Sequence, residues 1–165
     1  MQISQNKSNI YISLGSNIDP EDNLFAAAEK LNSVFGEVEY SRVWETPPYK
    51  TEGNVFLNAA AIFQSADENE VIKYGILRRI ETELGRIRTE NKFSARTIDL
   101  DILVVGMQVI DPELWHLAHL AVPLSELLPT LIDPGTGHSL VEIAGSLMSN
   151  KFVPRTDFTL PGNKG

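Results

Sequence analysis

A single segment, Asn54 to Gln64, narrows the choice of fold more than any other. It alternates like a β-strand, whose successive side chains point to opposite faces of a sheet. Its two sets of alternating residues are Phe56, Asn58, Ala60 and Ile62 on one face, and Val55, Leu57, Ala59, Ala61 and Phe63 on the other. Both faces are mostly apolar, so we predict that this segment is a central strand.

The segments around it predict a regular alternation of strands and helices. Strand patterns cover Ile10 to Leu14, Val38 to Trp44 and Thr97 to Val105. Apolar residues at helical spacing lie between Asp19-Pro20 and Gly36 and between Asp67 and about Gly85. The order β-α-β-β-α-β predicts a ferredoxin-like α+β fold, with both helices on one face of an antiparallel sheet.

Each predicted helix has one apolar stripe that should face the sheet. The stripe of the first helix is Leu24, Ala27, Ala28, Leu31, Val34 and Phe35. The stripe of the second is Val71, Tyr74, Leu77, Ile80 and Leu84. Beyond Gly106 we expect a C-terminal extension with a short helix from Ser139 to Met148, then a tail from Asn150 to Gly165 that is irregular or loosely docked.

The length of 165 residues fits one domain, which we expect to span 1–165 with a core at about 10–149. The net charge of −8 argues against nucleic-acid binding, because such proteins carry a basic surface. The chain has no cysteine, no signal-peptide pattern and no apolar run of about 18 residues. We therefore expect a cytoplasmic protein that binds no membrane and exists as a monomer or weak homodimer.

Two carboxylates, Asp99 and Asp101, stand near the start of the last predicted strand. Residues two apart on a strand point to the same side, about 6.6 Å apart along it, so both can reach one cation or two adjacent cations. Mg²⁺ with nucleotide phosphates is the natural candidate, because Mg²⁺ binds through one or two carboxylates plus phosphate oxygens. The alternatives are a solvated strand end or salt bridges to nearby arginines.

A basic segment leads directly into this carboxylate pair. It contains Arg86, Arg88, Lys92 and Arg96 against the single acid Glu90. Arginine matches phosphate oxygens with a planar fork that stays charged. Taken alone, the segment is also explained as a helix end that favours cations, followed by a solvated loop. Its junction with the carboxylates favours a site for a nucleoside triphosphate with magnesium.

Phe56 and Asn58 share a strand face, where they present an aromatic ring and an amide together. This pair suits a flat heterocycle that stacks on the ring and offers donors and acceptors at its edge. As an isolated pattern it is more often core packing. Thr46-Pro47-Pro48 would form a rigid turn with free backbone groups, and it is equally ambiguous by itself.

Four segments stand in a specific order and spacing: Tyr11 to Asn17, Glu45 to Tyr49, Phe56 to Ala60 and Arg96 to Ile102. Together they resemble the 6-hydroxymethyl-7,8-dihydropterin pyrophosphokinase family, and the Arg-Thr-Ile-Asp-Leu-Asp-Ile run is the most specific of them. The match covers roughly residues 10 to 110. It implies a ferredoxin-like fold and the transfer of pyrophosphate from ATP to the pterin hydroxymethyl group in folate biosynthesis, with release of AMP.

The resemblance also implies roles for individual residues. Asp99 and Asp101 would hold two Mg²⁺ ions, and Arg86 and Arg96 would be the catalytic arginines on the phosphates. Further nucleotide-binding residues would be Glu81, Arg88, Lys92 and Ile102. The pterin-binding residues would be Gly15, Thr46, Pro48, Tyr49, Phe56 and Asn58.

The chain departs from the family pattern in two places. Phe93-Ser94-Ala95 stands where the family has a tryptophan, a glycine and a proline. The family's Pro-His-Pro segment, with the arginine and phenylalanine after it, is replaced by the shorter stretch Asp111 to Ala121. That segment normally supplies nucleotide contacts and a second aromatic wall of the pterin site. His116 or His119 is a candidate for the contact, and Trp115 or His119 for the wall.

We therefore predict a Mg²⁺-dependent pyrophosphokinase whose small-molecule substrates are ATP and a reduced pterin, with Asp99 or Asp101 as candidate proton acceptor. The alternative is a pterin- or nucleotide-binding homologue that lost catalysis through the shortened segment. An RNA-binding sheet of similar topology is a third reading. The acidic charge and the lack of a glycine-aromatic signature count against it.

Overall fold

The computed structural model describes residues 6–48, 53–87 and 96–162. Within these residues one antiparallel sheet is formed by β1 (Ser8–Ser16), β2 (Val38–Tyr40), β3 (Trp44–Thr46), β4 (Phe56–Ser65), β5 (Asp99–Val105), β6 (Gln108–Val109) and β7 (Val153–Pro154). The helical elements are α1 (Pro20–Phe35), a π-helical segment (Val71–Leu77) that runs into α2 (Arg78–Glu83), a 3₁₀ turn (Pro112–Trp115), α3 (Ala118–Leu127) and α4 (Leu140–Leu147).

The strand order is β6-β5-β1-β4-β3-β7, with β2 also paired to β4. The ferredoxin-like α+β fold is confirmed, and β4 is the interior strand that its two apolar faces predicted. One face of the sheet packs against α1 and the π-helical segment with α2, and together they form the first hydrophobic core. The opposite face is covered by the C-terminal extension, which forms a second core.

The predicted strand Val38–Trp44 is two short strands because of a β-bulge at Ser41. The Ser41 N–H donates to Ala60 O at 2.9 Å, and the Ser41 hydroxyl accepts from Ala60 N–H at 2.8 Å. The pairing with β4 shifts by one residue between β2 and β3. Because side chains alternate along a strand, this extra residue turns Trp44 and Thr46 toward the face that the extension covers.

The apolar stripe of the first helix is largely as predicted. Leu24, Ala27, Ala28 and Leu31 are buried. Val34 is exposed, because it lies at the edge of the face that packs on the sheet, and Phe35 is half-buried.

The predicted stripe of the second helix is wrong in its first turns. Val71 and Tyr74 are exposed, whereas Ile72 and Leu77 are buried. This stretch is π-helical, with hydrogen bonds from residue i to i+5 and therefore more residues in each turn than an α-helix. Residues at α-helical spacing consequently do not stay on one face, and Ile80 returns to the core where α2 begins.

In its described part, up to residue 162, the tail is mostly irregular, as expected, but it is firmly docked. β7 pairs with β3, and Leu160 is buried in the first core. The Arg155 N–H donates to Val43 O at 2.8 Å, and its guanidinium pairs with Glu21 and Asp157 at 2.9 Å. The tail thereby links β3 to the start of α1.

The extension begins after β6 with the 3₁₀ turn and continues into α3 and α4. The short helix predicted from Ser139 to Met148 is confirmed as α4, and Ser139 caps it by accepting from Glu142 N–H. In the described part of the chain, every helix is too short or too polar to cross a bilayer.

Candidate active site

A cavity of about 280 Å³ lies between the sheet and the C-terminal extension. The strands and their ends supply Gly15, Thr46, Phe56, Asn58, Arg96, Asp99 and Asp101, and the extension supplies Asp111, Glu113, Leu117, His119 and Leu120. The structure thus brings most of the predicted pterin-binding residues and both predicted metal ligands to one place. We call this space the first cavity.

Asn58 is a buried amide whose orientation is set by its neighbours. Its Nδ2 donates to Thr46 Oγ1 at 2.6 Å. Gly15 lies opposite Asn58 in the ladder between β1 and β4, and a Cβ on Gly15 would lie 2.8 Å from Asn58 Oδ1. The absence of a side chain at Gly15 therefore leaves room for this amide beside the half-buried Phe56 ring.

Some predicted residues are placed elsewhere or lie outside the described residues. In the turn after β3, Pro47 lines the first cavity and Pro48 does not. Tyr49, Arg88 and Lys92 fall in stretches that the structure does not describe. Their assigned roles, and that of Pro48, stay predictions.

Asp99 is held between two arginines. Arg86 Nη1 donates to Asp99 Oδ1 at 2.5 Å, and Arg96 Nη1 donates to Oδ2 at 2.8 Å. Arg86 Nη1 also donates to Ile98 O at 3.0 Å and lies 3.5 Å from Glu81 Oε2. Although burial opposes it, the charges of Arg86 and Arg96 lower the pKa of Asp99. Asp99 is therefore ionised at neutral pH.

Glu81 is only 2% exposed, and it does not line either of the cavities described here. Its Oε2 accepts from the N–H of Leu100 at 2.8 Å. This carboxylate therefore links α2 to β5, and it also forms an ion pair with Arg86. A direct contact between Glu81 and the nucleotide stays a prediction.

The surroundings of Asp101 fit a divalent cation. Burial raises the pKa of its carboxyl to about 7, and the negative charges of Asp99 and Glu81 add to the effect. Among the described residues, no group of three or more histidines or acids is arranged to hold a metal alone. Mg²⁺ commonly binds through one or two carboxylates and completes its shell with phosphate oxygens and water. The pair Asp99 and Asp101 therefore fits Mg²⁺ that is bound together with a nucleotide.

A second cavity, of about 340 Å³, shares Asp101 and Asp111 with the first. Its other lining residues are Asn69, Glu70, Lys73, Tyr74, Ile102 and Ile110. Lys73 Nζ lies 5.3 Å from the centre of the Tyr74 ring, and Arg78 Cζ lies 4.9 Å from it. The cavity thus combines an aromatic ring and one lysine with three acids, Glu70, Asp101 and Asp111, and Ile102, a predicted nucleotide-binding residue, also lines it.

Of the three candidates to replace the missing family segment, His119 is the one that the structure places in the first cavity. Trp115 is buried in the second hydrophobic core, and His116 is exposed. Burial lowers the pKa of His119, against the opposing attraction of Asp99, so its ring is neutral at pH 7.

Sequence reasoning missed four lining residues of the extension: Asp111, Glu113, Leu117 and Leu120. The available signal was Asp111-Pro112, a capping residue followed by proline, which is typical of a helix start. In the structure, Asp111 Oδ1 accepts from Glu113 N–H at 3.0 Å and begins the 3₁₀ turn.

Comparisons with known proteins identify a family and relatives to which this chain is similar. The sequence model of the family described as 7,8-dihydro-6-hydroxymethylpterin-pyrophosphokinase matches residues 11–129. A 2-amino-4-hydroxy-6-hydroxymethyldihydropteridine pyrophosphokinase from Porphyromonas gingivalis is 33% identical over 136 residues, which cover 74% of this chain and 92% of the relative. A protein of the same name from Synechocystis is 30% identical over 144 residues, covering 80% and 72%.

Among solved structures, Plasmodium falciparum HPPK-DHPS with pteroate is similar, with a TM-score of 0.66 at 10% identity. The match covers 88% of this chain, which spans 43% of that longer one. At this identity the likeness shows the fold alone.

Proposed function

This chain belongs to the 7,8-dihydro-6-hydroxymethylpterin-pyrophosphokinase family, and we propose that its two cavities bind the pterin and ATP on either side of Asp101. The reaction is transfer of pyrophosphate from ATP to the hydroxymethyl group of the reduced pterin, in folate synthesis. The observation that carries the proposal is that Asp101 lines both cavities. A group at this junction can contact both reacting molecules.

The first cavity suits the pterin. Phe56 offers a ring for stacking, and Asn58, oriented by Thr46, offers an amide to the polar edge of the heterocycle. His119 contributes an uncharged ring from α3, and we assign to it the second aromatic wall. Such a cavity holds a flat ligand with its hydroxymethyl group near the carboxylates.

The second cavity suits the nucleotide. Tyr74 and Ile102 give it apolar surface for a base, and Lys73 adds positive charge. Because this cavity also contains Asp101, a nucleotide bound there directs its phosphates toward the carboxylate pair. The pterin hydroxyl and the phosphate chain then meet at that pair, as a transfer between them requires.

The arginines supply the charge that pyrophosphoryl transfer needs. Arg96 lines the first cavity, and we assign it to the transferring phosphates. Arg86 holds Asp99, and because a guanidinium has five N–H donors, it can bind a phosphate oxygen as well. Asp99 and Asp101 would hold the Mg²⁺ ions, for which the resemblance implies a count of two. Bound Mg²⁺ supplies neutralisation of phosphate charge.

We also infer a cytoplasmic location and an assembly no larger than a weak homodimer. The chain contains no cysteine, which suits a reducing compartment. Its net charge of −8 disfavours binding to nucleic acid or to anionic lipid.

The test is AMP release from ATP in the presence of 6-hydroxymethyl-7,8-dihydropterin and Mg²⁺, measured with and without the pterin. Wild-type protein should release AMP only when the pterin is present. Arg96→Ala should lower this rate by about a hundredfold or more, as the loss of a group that stabilises transition-state charge does. Arg79→Ala is the matched control, since Arg79 is an exposed arginine whose guanidinium bonds within its own helix.

The outcomes test the role of Arg96 and distinguish a kinase from a binding homologue. Equal loss in Arg96→Ala and Arg79→Ala would remove the assignment of Arg96. Pterin binding without any AMP from wild-type protein would replace the kinase by the binding homologue.

A further inference from the structure

Asn17 is a buried polar residue to which the proposed mechanism gives no role. It follows β1 directly, is only 3% exposed and lines neither cavity. A buried amide costs free energy unless its groups are hydrogen-bonded, so its partners indicate what it does. Both of its described partners belong to one residue, Arg96.

Asn17 binds the backbone of Arg96 from both sides. The Asn17 N–H donates to Arg96 O at 3.2 Å, and Asn17 Oδ1 accepts from the Arg96 N–H at 2.8 Å. These bonds lie beyond Gly15 and Asp99, the last residue pair of the ladder between β1 and β5. The sheet ladder fixes the backbone of β5 as far as Asp99. Beyond that point, the bonds to Asn17 fix the backbone of Arg96.

The turn that carries Asn17 is itself held in place. Ser16 Oγ donates to Ile18 O at 3.1 Å, and Asn23 Nδ2 from α1 donates to the same oxygen at 2.6 Å. Ser16 is completely buried. Asn17 is thus attached to a rigid base formed by β1 and α1, and it can impose a position on the residue it binds.

We propose that Asn17 is a positioning residue that fixes the backbone of Arg96, so that its guanidinium lies beside Asp99 where the phosphates bind. The inference rests on the proposed function of Arg96. Its physical reason is that Arg96 lies outside any strand, before the ladder between β1 and β5 begins at Asp99, so the sheet does not hold its backbone. Two bonds to the backbone of one residue, at its N–H and its C=O, fix the origin of the side chain. An arginine misplaced by about 1 Å loses most of its effect on a transferring group.

The experiment compares Asn17→Ala with Asn17→Asp. Aspartate keeps an acceptor oxygen for the Arg96 N–H, whereas alanine removes it. Asn17→Ala should lower kcat/KM for ATP by about tenfold to a hundredfold and leave the KM for the pterin within about twofold. Asn17→Asp should recover most of this loss. Calorimetry with a non-hydrolysable α,β-methylene analogue of ATP and Mg²⁺ should show the same ranking in affinity, independently of turnover.

A double-mutant cycle separates positioning from general destabilisation. In an Arg96→Ala background, Asn17→Ala should change the remaining activity and the analogue affinity by less than about twofold, because the residue it positions is gone. The matched control is Asn32→Ala. Asn32 also joins distant segments, through Pro161 O and the Tyr40 hydroxyl, but it lines neither cavity.

An equal loss from Asn17→Ala in both backgrounds, or an Asn17→Asp variant as impaired as Asn17→Ala, would overturn the proposal. If Asn17→Ala does not fold, the same comparison is made between Asn17→Ser, whose shorter side chain does not reach Arg96 N–H, and Asn17→Asp. Absence of AMP from wild-type protein would refute the proposed function. The analogue affinities would then still decide whether Asn17 acts on Arg96.

Discussion

Gly15 and Asn58 face each other across β1 and β4, and Asn58 Oδ1 fills the space where a side chain on Gly15 would lie. We expect Gly15→Ala to displace the Asn58 amide and to weaken its bond to Thr46, because the new methyl group would lie 2.8 Å from Oδ1. Loss of one buried hydrogen bond, about 1.5 kcal/mol, corresponds to roughly a tenfold higher Kd for the pterin. Fluorescence titration with the pterin measures this change.

Gly145→Ala is the matched control for that substitution. Gly145 lies in α4, and an added Cβ meets nothing within 4 Å. Alanine is the better helix former by about 1 kcal/mol, so this variant should gain stability and keep its pterin Kd. An unchanged Kd in both variants would contradict the role that we assign to Asn58.

Asp101 gives the unliganded protein a distinctive dependence of stability on pH. Its folded-state pKa of about 7 lies above the ordinary value of 3.8, so the folded state holds more protons than the unfolded state between these values. This contribution to stability is fully present below about pH 4 and is lost as the pH rises through 7. Asp99, whose pKa is lowered, contributes stability that is lost as the pH falls below 3.8.

Urea denaturation of wild-type protein and Asp101→Asn at pH 5, 6, 7 and 8 measures this dependence. His119 acts in the opposite direction, because its lowered pKa makes the protein more stable as the pH rises toward 6.5. It is present in both proteins, so the difference between the two curves isolates Asp101. We expect the wild type to lose stability relative to Asp101→Asn between pH 5 and 8, and parallel curves would refute this.

The candidate site could be predicted from the sequence where its geometry is local. A strand places residues two apart on one face, and Asp99 with Asp101 follows from that rule alone. The burial of Glu81 beneath β5 depends on how a helix packs on the sheet, which no local pattern encodes. The position of His119 depends on how the extension docks on the sheet. Sequence spacing alone therefore could not choose His119 over Trp115 and His116 as the replacement for the missing family segment.

Elements whose apolar residues recur at the regular spacing of a strand or an α-helix could be predicted from the sequence. Elements in which that spacing changes could not. The alternating pattern of β4 and the helical pattern of α1 each extend over enough residues to identify the type of element. The bulge at Ser41 depends on a side chain that bonds to another strand, and the π-helical segment changes the number of residues in each turn. Both deviations shape the candidate site. The bulge turns Thr46 toward the first cavity, and the π-helical segment places Tyr74 at the second.

The carboxylate of Glu126 links α3 to Arg42 and to Trp44 of β3 by hydrogen bonds. Its Oε2 accepts from the indole Nε1 of Trp44 at 2.7 Å, and its Oε1 accepts from the backbone N–H and Nε of Arg42 at 3.1 and 3.2 Å. We expect Glu126→Ala to lower the free energy of unfolding by about 1–3 kcal/mol, because it leaves the N–H of a buried indole without its acceptor. Chemical denaturation followed by tryptophan fluorescence measures the loss.

Glu126→Gln retains an acceptor for the indole and is the control. It should recover most of the stability, since the ion pair with the exposed Arg42 contributes little. In a Trp44→Phe background, Glu126→Ala should cost less than it does in the wild type. A loss that is the same in both backgrounds would show that the indole bond is not what holds α3.

The described residues form three layers: α1 with the π-helical segment and α2, the sheet, and the C-terminal extension. The first hydrophobic core joins the helices to the sheet, and the second joins the sheet to the extension. The first cavity lies between the sheet and the extension, so the proposed pterin site depends on a contact that the β-α-β-β-α-β pattern does not contain. This is why the sequence predicted the first two layers well and the third only as an extension with a short helix.

The tail contributes the buried residue Leu160 to the first hydrophobic core, which lies between the first two layers. We expect Leu160→Ala to lower the free energy of unfolding by about 2 kcal/mol, the lower end of the range for buried leucines, because the residue lies at the margin of the core. Val141→Ala, at an exposed position of α4, should change it by less than about 0.5 kcal/mol. Denaturation in urea measures both, and equal effects would mean that the tail is loosely attached, as its composition alone suggests.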